Sequence, residues 1–112
     1  MSFLSNTIAL KMLAVFLMLG LGACSSEKEQ QLQLGQQVVT ENCKICHAQG
    51  INGAPIIGNK KMWSKRLEQG EDVLVQHAIQ GFGLMPPKGG KEHLGETEIR
   101  AAVAYFKSRV EQ

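Results

Sequence analysis

The segment Cys43-Lys44-Ile45-Cys46-His47 constrains this chain more than any other stretch, because it sets two thiols and an imidazole within five residues. Four chemistries accept cysteines at that spacing: a disulfide, a zinc knuckle, a redox-active dithiol and covalent attachment of a haem. A Cys43–Cys46 disulfide would close a very small loop, gain little from chain entropy and leave His47 unexplained. A tetrahedral zinc site needs four ligands. Past the leader only His77 and His93 could join the three, and neither has paired ligand spacing. A thioredoxin-like dithiol belongs in a βαβ pattern, and no strand alternation of useful length occurs here. Haem attachment uses all three residues. The thiols add to the two porphyrin vinyl groups as thioethers, and His47 becomes the proximal iron ligand. One covalent haem c is therefore the expected cofactor.

The apolar periodicity predicts an all-α domain of about four helices with long loops. The first helix is expected over 32–42, with Leu34, Val38 and Val39 on one side. A second spans 60–70 and a third 71–81, each ending at a glycine suited to a C-cap. In the third, Leu74 with Ala78 and Val75 with Ile79 form adjacent rows. The fourth, 96–110, places Ile99, Val103, Phe106 and Val110 on one stripe. Its start has Gly95 where Ser or Asp would cap more strongly, with Glu98 at the N3 position. Glycine-rich loops, "GINGAPIIGN" and "GFGLMPPKGG", separate the helices.

The front of the chain reads as an export leader: one cation, Lys11, then an apolar run from Met12 to Leu21, too short for a membrane span of about 20 residues. The ending "LGAC" resembles the lipobox of bacterial lipoproteins, which implies cleavage before Cys24 and lipid attachment to its thiol. An ordinary signal peptide with a chance cysteine is the alternative. The expected divisions are a leader over 1–23, a flexible polar tether over 24–33 and a folded domain over 34–112. Loss of Lys11 leaves 11 basic against 10 acidic residues, a balance with no nucleic-acid-binding excess. A domain this small is marginal on apolar burial alone and needs a staple or cofactor. The haem-free chain is accordingly expected to be largely unfolded.

With His47 below the iron, the opposite ligand decides the chemistry. Past the leader the candidates are Met62, Met85, His77 and His93. Met85 is favoured because its loop is glycine-rich on both sides and stiffened by Pro86 and Pro87. Met62 sits inside a helical pattern, where packing is the ordinary role. His77 and His93 read equally well as solvated or partly buried side chains. A thioether opposite an imidazole makes the iron six-coordinate and raises its reduction potential.

The order of helix, Cys-x-x-Cys-His, loop, short helices, methionine loop and final helix resembles class I c-type cytochromes. The segments "GAPIIGNKKMWSKRLEQG" and "GFGLMPPKGG" resemble the bacterial cytochrome c-five group. The resemblance implies that the Pro55 carbonyl accepts a hydrogen bond from the second nitrogen of His47, although a turn residue is an equally ordinary reading of Pro55. It implies that Trp63 packs at the haem edge near a propionate, where a lone Trp could instead be plain core. Gly35 and Tyr105 match the crossing of the first and last helices. Many members carry an extra cysteine pair before the last helix, and "KEHLGETEIR" has none.

The resemblance implies a one-electron carrier, not an enzyme and monomeric, meeting redox protein partners transiently at an exposed haem edge. Lys60, Lys61, Lys65, Arg66, Lys88 and Lys91 would flank that edge. They could steer acidic partners or simply be a solvated face. A haem enzyme or gas sensor with a labile sixth ligand is the alternative. The lipobox implies anchoring to a bacterial membrane facing the periplasm, with Ser25 after Cys24 favouring the outer membrane.

Overall fold

The computed structural model describes residues 23–112. Residues 1–22 lie outside them, as does the Cys24 side chain, so the expected leader and lipid site fall there. Among the described residues the elements are α1 (Ala23–Val38), a π-helical turn (Val39–Cys43), α2 (Lys44–His47), α3 (Lys60–Leu67), α4 (Glu71–Gln80) and α5 (Glu96–Glu111). Short 3₁₀ turns fill Ile51–Gly53 and Pro87–Gly90. No strand occurs among the described residues beyond a single bridge between Phe82 and Met85, which agrees with the all-α expectation.

The polar stretch expected to be a flexible tether is instead helical, as part of α1. Its Glu, Lys, Gln and Leu residues are all strong helix formers, and low hydrophobicity alone does not prevent a helix that continues into a packed one. The π turn then carries α1 into α2. Such wide turns re-aim the residues after them and recur at functional sites; here those residues are Cys43, Cys46 and His47.

α1 and α5 cross at Gly35. A Cβ built there would lie 2.1 Å from the Ala101 carbonyl oxygen and 2.8 Å from the Tyr105 Cβ. The closest neighbour is thus the Ala101 backbone, with Tyr105 next to it. The stripe predicted for the last helix is the core: Ile99, Val103, Phe106 and Val110 are all buried, with Ala102 beside them and Val38, Val39, Trp63, Val75 and Leu94 packed around them. α4 packs against α5 through Val75, and Arg100 of α5 pairs with Asp72 across the surface of that contact at 2.7 Å.

Helix ends follow local chemistry. The Asn59 side chain accepts from the Met62 N–H at 3.1 Å and caps α3. At α5 the Glu98 carboxylate reaches back to accept from the Gly95 N–H at 2.6 Å. This is half of a capping box, since glycine offers no side chain to return it.

Candidate functional site

His47 ends α2 and is 8% exposed. Its Nδ1 lies 2.9 Å from the Pro55 carbonyl oxygen. A carbonyl can only accept, so Nδ1 carries the proton and Nε2 keeps its lone pair, the form an imidazole needs in order to bind a metal. The same loop is held a second time, by the Ile57 N–H donating to the His47 carbonyl at 2.9 Å. The next carbonyl along, that of Ile56, accepts from the Trp63 indole N–H at 2.8 Å. Two successive loop carbonyls therefore orient two rings. Phe106 packs between them, with centroids 5.0 Å from His47 and 4.9 Å from Trp63.

His47 and Trp63, with Phe106 packed against both, stand in one wall of a cavity of about 590 Å³ that the two of them line. Cys43, Cys46 and His47 come to it from the π turn and α2, and Pro55 from the loop that follows. Trp63 and Arg66 come from α3, Leu74 and His77 from α4, and Phe82, Leu84 and Met85 from the loop beyond α4. That volume lies within the roughly 300–1,000 Å³ of small-molecule and cofactor sites, and the lining is mainly apolar, as porphyrin faces require. The residues present fit a haem.

The loop bearing Met85 is closed by its own backbone. The Phe82 N–H donates to the Met85 carbonyl and the Met85 N–H to the Phe82 carbonyl, both at 2.9 Å. Gly81 (φ 85°) lets this turn fold back on itself, because a Cβ there would press at 3.0 Å on the Met85 carbonyl and the Pro87 ring. Phe82 in turn stacks on His77, with centroids 4.3 Å apart.

Of the four candidates for the second axial position, Met85 and His77 line the cavity, whereas Met62 and His93 are not among its walls. Cys43 and Cys46 are not joined in a disulfide. Burial, with a smaller contribution from Cys46, pushes the Cys43 thiol up to about 11. Redox-active dithiols work through a depressed thiol, so the shift runs against that reading. Among the described residues no three His, Cys, Asp or Glu side chains converge on a common point, so the donor set of a zinc knuckle is not assembled.

Trp63 stands at the cavity wall, but its only polar hydrogen is given to Ile56. Arg66, counted at the sequence level only as one cation of a rim, is a wall of the cavity itself. Its position three residues after Trp63 on one helix was the available signal, since i and i+3 share a face. None of the five lysines expected around the edge lines the cavity.

The family described as "Cytochrome C oxidase, cbb3-type, subunit III" matches residues 30–106. The chain is 39% identical over 76 residues to cytochrome c-555 of Chlorobaculum tepidum, covering 64% of this chain and 70% of that protein. It is 35% identical over 68 residues to cytochrome c5 of Ectopseudomonas mendocina, covering 59% and 78%. Among solved structures it is similar to a chain in the crystal structure of an electron transfer complex of nitrite reductase with cytochrome c. That match has a TM-score of 0.66 and 39% identity, over 69% of this chain and 94% of the other. Motif, cavity and relatives agree, and the chain belongs to the class I c-type cytochromes, close to the cytochrome c5 group, with a small all-α fold around one covalently bound haem c.

Proposed function

We propose that this cytochrome is a one-electron carrier whose haem is held by thioethers from Cys43 and Cys46, with His47 and Met85 as axial ligands. The observation that carries the reading is the pairing of walls. His47, with Nδ1–H donated to Pro55, keeps Nε2 open, and Met85 lines the same cavity on a backbone-closed loop. When bound, the haem supplies an iron that cycles between ferric and ferrous. The chain's own work is to keep that cycle closed to other chemistry. The Pro55 carbonyl fixes the tautomer and orientation of His47 and raises its donor strength. The Phe82–Met85 turn and the two prolines hold the thioether in one place, so little rearrangement accompanies a change of charge. Trp63 and Leu74, which line the cavity, exclude water from the cofactor's faces.

Leu84 and Phe82, 74% and 60% exposed, stand at the mouth of the cavity with Ile51. Exposed apolar residues there suit brief contact with redox protein partners across a small interface. The structural relative is in a complex with nitrite reductase, which supports a protein partner for this chain. No helix among the described residues is long and apolar enough to cross a membrane. Export, with a lipid on Cys24 as the anchor to a membrane facing the periplasm, follows from the "LGAC" ending. Mass spectrometry of the mature N-terminus tests it, a diacylated Cys24 being the expected result.

The test of the function is an optical redox titration with and without carbon monoxide. A reversible one-electron transition and no prompt binding of carbon monoxide to the ferrous protein are expected. Rapid binding would instead indicate a vacant or labile sixth position, as in the haem enzyme or gas sensor alternative. A second expectation follows from the cavity. Replacing both Cys43 and Cys46 with alanine removes covalent attachment and leaves the aromatic wall without its main packing partner. Far-ultraviolet circular dichroism of that haem-free chain should show most of the helix lost. A cooperative thermal transition in it would disprove the dependence of the fold on haem.

A further inference from the structure

We propose that His77 is a positioning residue for the Met85 thioether, acting through the ring of Phe82, a proposal that rests on the reading of Met85 as an axial ligand. The His77 and Phe82 rings stack with centroids 4.3 Å apart and planes 23° from parallel. Phe82 and Met85 are joined main chain to main chain by their reciprocal pair of hydrogen bonds at 2.9 Å. A continuous path therefore runs from α4, through two rings and a backbone bridge, to the residue that carries the sulfur. His77, Phe82 and Met85 all line the cavity.

The bridge fixes Met85 relative to Phe82, but it does not fix the pair relative to the cavity. Gly81 and Gly83, on either side of Phe82, both have positive φ (85° and 57°) and offer no side chain to brace the turn. Phe82 and Leu84 are 60% and 74% exposed, and hydrogen bonds of so exposed a backbone are of the kind that open first. Pro86 and Pro87 stiffen the chain after the methionine, and α4 also touches the Pro87–Gly90 turn. Ahead of the methionine, the handle is the ring of Phe82. The imidazole that holds it is well anchored. His77 is half-buried, three residues after Leu74 on the cavity side of α4, and Val75 of the same helix is fully buried.

Loss of the stack lets the turn swing out with its thioether more often, while the helices stay in place. A stacked ring pair is strong enough to shift such an equilibrium by about 2- to 12-fold. Both oxidation states report it, the ferric one through the sulfur-to-iron band and the ferrous one through entry of carbon monoxide at the vacated position. The role belongs to a flat ring and not to a nitrogen lone pair, so an aromatic hydrocarbon at position 77 should serve as well.

The experiment compares the native holoprotein with His77→Leu, His77→Phe, Phe82→Leu and the double variant His77→Leu/Phe82→Leu. Gln76→Ala, at the exposed neighbouring position, is the control. Thermal loss of the sulfur band, the rate of carbon monoxide binding to the ferrous protein and far-ultraviolet circular dichroism are followed at one pH. His77→Leu should bind carbon monoxide about 2- to 12-fold faster and lose the sulfur band at a lower temperature, with the melting of the helices shifted less. Phe82→Leu should do the same, and the double variant should be no worse than either single one, because both break one contact. His77→Phe and Gln76→Ala should match the native protein. A His77→Leu protein that matches the native one overturns the proposal, as does one whose band and helices shift by the same amount. His77→Phe behaving as His77→Leu overturns it too, since the imidazole and not the stack would then be responsible. A native ferric protein without the sulfur band would instead overturn the reading of Met85 as ligand, so the two failures are distinguishable.

Discussion

Gly35→Ala is expected to destabilise the holoprotein by about 3 kcal/mol, near the upper end of the usual cost of overpacking. The added methyl would need to sit 2.1 Å from the Ala101 carbonyl oxygen and 2.7 Å from its carbonyl carbon. Those are backbone atoms of a helix and cannot rotate away as a side chain would. The substitution must therefore separate α1 from α5, and that crossing is the broadest contact between helices in the described chain. Alanine's better helix propensity recovers only about 1 kcal/mol of the loss. Denaturant unfolding followed by circular dichroism and haem absorbance is the measurement. Gln36→Ala, at an exposed position on the same helix, is the control and should stay within about 0.5 kcal/mol of the native protein. If Gly35→Ala matched that control, the crossing would have to be looser than its geometry indicates.

The second large effect is expected at Met85. Met85→Ala removes the proposed thioether ligand while the Phe82–Met85 backbone turn, made by main-chain groups, can persist. The long-wavelength sulfur-to-ferric-iron band should vanish. The midpoint potential should fall, because a thioether favours ferrous iron. Carbon monoxide, which is not expected to bind the native ferrous form promptly, should gain access to the iron. His77 lines the same cavity and is the one other candidate ligand that does so. Comparing Met85→Ala with Met85→Ala/His77→Asn separates an open position from one taken by imidazole. Survival of the sulfur band in Met85→Ala would remove Met85 from the site.

The two substitutions differ in how visible their targets were beforehand. Met85 stood out as a candidate because a methionine between glycines and prolines is a local pattern, and it lines the cavity. The rejection of Met62 and His93 as walls needed the cavity itself. Gly35 and Tyr105 could be placed at a crossing by resemblance alone. That the close approach is to the Ala101 carbonyl depends on the angle and separation of two helices whose residues are far apart in sequence.

The helices of the folded domain were foreseeable because their signals are short-range. The Ile99, Val103, Phe106 and Val110 stripe, Gly81 at the end of α4 and the N3 Glu98 each act within a few residues and reappear in the structure, whereas α3 stops at Leu67 and Gly70, expected as its C-cap, stands instead at the N-cap of α4. The misjudged segment was 24–33, read as a tether from its polarity. It forms a helix because its residues favour one and because α1 continues into the packed crossing.

By itself the sequence determined the outline: two thiols and an imidazole in one haem-attachment motif, a methionine favoured as candidate ligand beyond it, and an all-α domain. Each of those follows from covalent spacing or helical period, which act locally along the chain. Only the tertiary structure decided how the groups are aimed. Adjacent carbonyls at Pro55 and Ile56 take the hydrogens of His47 and Trp63, and separate elements bring His77 and Met85 to the same cavity. A hydrogen-bond donor can be spent only once, and which acceptor takes it depends on how loops and helices meet in space.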